Sequence, residues 1–180
     1  DGTGYYVSVS GTDPSQSATN PFTISAWIKP NFTNDVRTVV AGSDDTDRFN
    51  VHINSSSEMA IQMYISNSDD TSSYVKIDED NWNHVCFTRA NGSTTGRYYI
   101  NGVAAGTDTV SNENWVLGRI GYDNSNASDR WIGHIADVKF YTIDLSTDGA
   151  DLGPIQSLSS KINVHYANVG TGTQPLAWFK

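Results

Sequence analysis

Short runs of alternating apolar and polar residues recur roughly every ten to fifteen positions along this chain, and clusters of Gly, Ser, Asn, Asp and Thr separate them. Side chains of a strand point to opposite faces with period two, so each run reads as a strand with one face to be buried. From Arg48 to Asn54, for example, Phe49, Val51 and Ile53 share one face, and Arg48, Asn50 and His52 share the outer or concave face. Composition agrees, with 21 Ser, 17 Thr and 16 Asn against five Leu, and with 17 of the 20 acidic residues being Asp. Such residues hydrogen-bond turns and compete with helix, so an all-β sandwich or barrel is the expected class.

Strands are predicted at 5–10, 22–29, 37–41, 48–54, 58–66, 73–77, 83–89, 97–100, 103–105, 115–121 and 130–141. Pro30, which cannot donate to a ladder, ends the second. The segments 67–71 and 91–96 read as polar turns, Asn101-Gly102 as a tight turn, and the stretch after Leu145 to Ser160 as a short helix or helical turn. With 180 residues, one domain is expected. A net charge of -9 repels phosphate backbones, which makes nucleic acid a poor partner. The apolar runs are too short for membrane insertion. Cys86 is the only cysteine, so disulfides within the chain and C-x-x-C metal motifs are excluded, and its place in a strand pattern suggests a buried, inert thiol.

Four segments in order carry a family resemblance: 22–30 (FTISAWIKP), 82–88 (WNHVCFT), 99–103 (YINGV) and 133–141 (GHIADVKFY). Together they resemble the successive motifs of laminin G-like domains, over about residues 1 to 158. The resemblance implies an antiparallel two-sheet jelly-roll sandwich, the concanavalin A-like fold shared by lectins and some glucanases. It also assigns Trp27 and Trp82 to core positions. One departure is the apolar stretch Pro175 to Lys180, since family members usually carry an aromatic-rich strand before the opening motif. That stretch fills the same edge by circular permutation or lies across a subunit boundary. The expected organisation is therefore a sandwich over 1–160 and a C-terminal segment, 161–180, that packs on the same domain or makes an assembly contact.

Catalysis is not expected. Glycoside hydrolysis needs two carboxylates held close together, and the Glu-x-Asp-x-x-Glu pattern of retaining enzymes of this fold is missing. A nucleophile elbow is missing too, and the four histidines show no zinc spacing. Calcium is the one cofactor the residues suggest, through Asp44, Asp45 and Asp47 in one loop and Asp123 and Asp129 in another, although Asp-rich turns need no metal. The aromatic residues Trp115, Tyr122 and Trp131 flank the loop carrying Asn124 and Asn126. Ring faces beside amides suit a saccharide, while the same aromatic residues also suit a capped sandwich edge.

The expected function is thus a recognition domain, outside the cell or on a virion surface, whose rim loops bind a glycan or a protein surface. The alternative is a structural or decorative subunit of a capsid, tail or filament, joined to itself or to a host structural protein through 161–180. A glycan-cleaving enzyme is the third reading.

Overall fold

The computed structural model describes residues 7–8, 15–16, 20–43, 46–65, 68–111, 113, 115–122, 127–142, 144–145 and 177–179. In chain order the strands are β1 (Val7–Ser8), β2 (Ser15–Gln16), β3 (Phe22–Pro30), β4 (Asp35–Gly42), β5 (Arg48–Ile53), β6 (Glu58–Ile65) and β7 (Ser68–Thr71). They continue with β8 (Val75–Lys76), β9 (Asn83–Arg89), β10 (Thr95–Ile100), β11 (Val103–Thr109), β12 (Trp115–Ile120), β13 (Gly133–Tyr141) and β14 (Ala177–Phe179). A single 3₁₀ turn at Ala127–Asp129 is the one helical element among the described residues.

Two antiparallel sheets result. An eight-stranded sheet has the order β1-β12-β4-β5-β6-β7, with β2 also on β12 and β8 also on β6; a six-stranded sheet has the order β11-β10-β9-β3-β13-β14. Alternation places Phe22, Ile24, Ala26 and Ile28 of β3 against Phe49, Val51, Ile53, Met59, Ile61 and Met63 of the facing sheet, all buried in one core. At its centre Phe22, Trp115 and Phe140 stack, with centroid separations of 6.0, 5.8 and 5.5 Å. The Asn101-Gly102 turn joins β10 to β11 with positive φ at both residues (52° and 76°), the geometry that favours Asn-Gly in two-residue hairpins.

The strand boundaries differ from the sequence reading around residue 70. Ser68–Thr71, expected as a turn, is β7, pairing with Gln62 to Ile65 of β6. At the sheet edge the ladder supplies hydrogen bonds that outweigh the weak strand preference of Ser and Asp. Conversely, the strand expected at 73–77 shrinks to Val75–Lys76, because Ser72 N donates to Ile61 O and Ser73 N to Ala105 O before β8 begins. The helical turn expected up to Ser160 and the segment 161–176 lie outside the described residues. Ala177–Phe179 pairs with Val138 to Phe140 at the edge of the six-stranded sheet.

Several polar side chains on the outer face of the six-stranded sheet are buried. Thr23 Oγ1 and Thr88 Oγ1 lie 2.8 Å apart, and Leu145 N donates to Thr23 Oγ1 at 3.0 Å. The Asp144 carboxylate accepts from Thr88 Oγ1 and sits 3.6 Å from the Arg97 guanidinium. Cys86 is buried there and burial pushes its thiol up, which leaves it inert. Burial, then Cys86 and Asp137, push the Tyr141 phenol up to about 12. Its protonated form is favoured in the fold, so the unfolded chain loses the proton first, near pH 10. Stability is expected to fall as pH rises from about 10 to 12. Melting curves of Tyr141→Phe should show a shallower fall than wild type over that window; equal slopes would refute the assignment.

Candidate functional site

The rim residues singled out by the sequence separate into different roles. Contrary to expectation, Trp115 is fully buried: its place in β12 beside Leu117 turns it inward, where the Phe22 and Phe140 rings pack against it nearly parallel. Trp131 is also turned into the core at 8% exposure, set edge-on to Phe32 at 5.3 Å, with its backbone N–H donating to Gly121 O. Neither indole presents a face to a ligand. Tyr122 is half-buried, with the Arg130 guanidinium 4.8 Å over its ring. Arg37 lies over Phe32, pairs with Asp35 and donates to Ser128 O, so this rim is a corner where residues bind one another.

Of the aspartates, Asp47 is buried at the β4–β5 turn, where its carbonyl accepts from Gly42 N at 2.7 Å and its Oδ1 lies 3.5 Å from Thr46 Oγ1. Asp129, in the 3₁₀ turn, accepts from Ser128 Oγ. Asp44, Asp45, Asp123, Asn124 and Asn126 lie outside the described residues. Among the described residues no group of three or more His, Cys, Asp or Glu is placed to hold a metal ion.

A different surface gathers polar and aromatic groups: the outer face of the eight-stranded sheet. Register brings Arg119, Ala41, Arg48 and Tyr64 into one cross-strand row, Thr38, Asn50, Gln62 and Thr71 into the next, and Val36, His52 and Ala60 into a third. Arg48 to His52 spans roughly 13 Å at about 3.3 Å per residue. In the first row the Arg48 guanidinium stacks 4.3 Å from the Tyr64 ring centroid. That contact fixes the plane of its donors.

The second row is a directed hydrogen-bond chain. Thr38 Oγ1 donates to Asn50 Oδ1 at 2.9 Å, and Asn50 Nδ2 donates to Gln62 Oε1 at 3.1 Å. Gln62 Oε1 also lies 3.1 Å from His52 Nε2, and because that oxygen only accepts, Nε2 must carry a proton. Both amides are therefore held in one orientation, and His52 in one tautomer when neutral. Asn50 and Gln62 are nearly buried (3% and 8% exposed), while Arg48, His52 and Tyr64 are half-buried. The outcome is a preorganised, partly desolvated strip with a stacked ring, a guanidinium and an imidazole at its surface.

Comparison with known proteins places this architecture. A family model described as the concanavalin A-like lectin/glucanases superfamily matches residues 1–149. The chain belongs to the concanavalin A-like lectin/glucanase superfamily. Curated protein sequences gave no match. Among solved structures, a heptameric SAP-like pentraxin from Limulus polyphemus is similar at 16% identity and TM-score 0.65, covering 77% of this chain and 70% of its own. Domain 4 of AbnA, a GH43 extracellular arabinanase from Geobacillus stearothermophilus, solved with arabinotriose, aligns at 15% identity and TM-score 0.55 over 87% and 81%. The CBM40 of the Ruminococcus gnavus IT-sialidase, bound to α2,3 sialyllactose, aligns at 12% identity and TM-score 0.53 over 79% and 83%.

Within the concanavalin A-like frame two family positions depart from their expected role. Trp82, read as core, is 44% exposed, and Trp27 is half-buried on the outer face of the six-stranded sheet, its ring 5.5 Å from that of His84. Sequence reasoning placed Arg48, Asn50 and His52 on an outer face but gave them no task. The signal was present: Gln62 and Tyr64 alternate with Ile61, Met63 and Ile65 in the next strand.

Proposed function

We propose that this concanavalin A-like domain is a non-catalytic recognition module that binds a saccharide on the outer face of its eight-stranded sheet. The observation that carries the reading is the row from Arg48 to His52: a directed hydrogen-bond chain beside an Arg48–Tyr64 stack. Saccharides present hydroxyls that both donate and accept, and C–H faces that stack on rings, and such a strip offers partners for both. Arg48, Asn50, His52, Gln62 and Tyr64 include no carboxylate, whereas hydrolysis needs a pair of them, so these groups hold a glycan rather than cleave it. The superfamily membership and the carbohydrate complexes of two similar folds support the class of ligand. Such a domain works where glycans are displayed, outside the cell or on a virion surface.

The test is a glycan-array screen of purified protein, run with calcium and with chelator, for wild type and Arg48→Ala. Selective binding that Arg48→Ala weakens at least tenfold, about 1.4 kcal/mol, is the expected result. Equal binding by the variant would remove the outer face from the site, and a blank array from folded protein would favour the structural-subunit reading. The chelator arm tests Asp47 and Asp129, since a calcium-dependent site must lose affinity there.

A further inference from the structure

We infer that the domain carries a second saccharide site on its other sheet, in the cleft where the end of β3, the 78–82 turn and the start of β13 meet. This cleft has a volume of about 320 Å³ and is lined by residues that include Lys29, Asn31, Glu79, Asp80, Gly133 and His134. It sits at the small end of the usual ligand range, roughly 300–1,000 Å³, and so fits the end of a glycan rather than a long stretch.

Its walls are fixed before any ligand arrives. Asp80 N donates to Asp78 Oδ1 at 3.0 Å and Asn81 Nδ2 to Asp78 Oδ2 at 2.6 Å, which closes the acidic turn on itself. Buried Asn83 donates to the carbonyls of Asp78 and Asn81 and accepts from Asn101 Nδ2, which pins that turn to the sheet. On the opposite wall Gly133 has φ 125°, and a Cβ there would lie 2.2 Å from Lys29 O, so only glycine lets β13 start this close to β3. Asn31 N closes the same corner on Ile132 O at 2.9 Å.

Two further observations point to a ligand. Glu79 Oε1 is buried and accepts no hydrogen bond among the described residues, a costly state that a hydroxyl donor in the cleft would relieve. Against His134 of the cleft lining stands the most exposed tryptophan among the described residues, Trp82, the two ring centroids 6.1 Å apart. An exposed indole next to acceptors (Glu79, Asp80) and donors (Lys29, Asn31) matches the mixed needs of a sugar ring. A cationic ligand would meet Lys29 in the same cleft, and an anionic one Glu79 and Asp80, which favours a neutral polyol.

The experiment uses the Arg48→Ala protein, so that the first site does not contribute, and titrates glucose, galactose, N-acetylglucosamine and their β-linked disaccharides by tryptophan fluorescence and saturation-transfer NMR. The second site predicts saturable binding of at least one of these sugars, lost when Trp82→Ala is added and weakened at least fivefold by Glu79→Gln. Trp82 and Glu79 lie outside the core cluster, so both variants should keep the parent's melting temperature. Saturable binding that survives Trp82→Ala, or no binding of any of these sugars to Arg48→Ala protein, overturns the inference. Failure of the first site shows separately, as wild-type array binding that Arg48→Ala leaves unchanged.

Discussion

Trp115→Ala should destabilise the domain by about 3–5 kcal/mol, lowering its melting temperature by roughly 6–20 °C for a chain of this size. The indole is fully buried and forms one leaf of the Phe22–Trp115–Phe140 stack, so truncation removes its transfer free energy and leaves a cavity bounded by two rings. Rigid strands on both sides limit collapse around the gap. Chemical denaturation with calorimetry measures the loss. A variant that kept its stability yet lost glycan binding would return Trp115 to the ligand surface and contradict the packing described above.

A similar loss, about 3–5 kcal/mol, is expected for Arg89→Ala, from a residue that composition alone would place in solvent. Arg89 is fully buried at the end of β9, and burial pulls its guanidinium below its usual value. Its carbon sits 4.9 Å over the Phe22 ring, while Nη1 donates to Ser111 O and Nη2 to Asn20 O. One side chain therefore ties the approach to β3 and the β11–β12 connection to the sheet. Alanine would open a cavity under Phe22 and strand two carbonyls. Arg89→Met, which refills the volume without the hydrogen bonds, should recover part of the loss. Unfolding curves in which alanine costs under 1 kcal/mol, or methionine costs more than alanine, would show that the tie is not structural.

The contrast between these residues explains what the sequence made legible. Alternation specified both sheets, since a one-residue slip would have turned Phe49, Val51 and Ile53 out to water. It also separated Arg48, Asn50 and His52 from that core. It did not reveal that Asn50 would stand opposite Gln62 and Arg48 opposite Tyr64, because register between strands is a tertiary property. The rim aromatics misled for a related reason. A tryptophan beside an Asp- and Asn-rich loop looks available, yet Trp115 occupies an inward parity position, and Trp131 closes the corner against Phe32. Trp82 erred in the other direction: its family position suggested burial, but it follows a turn that Asp78 and Asn83 hold at the sheet's end. At Ser68–Thr71 the polar composition read as a turn, and only an edge partner in β6 makes it a strand.

The proposed site puts the saccharide across β5 and β6 rather than at the rim. The measurement that addresses it most directly is ¹⁵N chemical-shift mapping of the domain with the strongest saccharide from the array. Perturbations are expected to cluster on Arg48, Asn50, His52, Gln62 and Tyr64, with a slowed or shifted His52 imidazole signal as its Nδ1 meets the ligand. Perturbations confined to residues 122–131, with β5 and β6 unmoved, would contradict it.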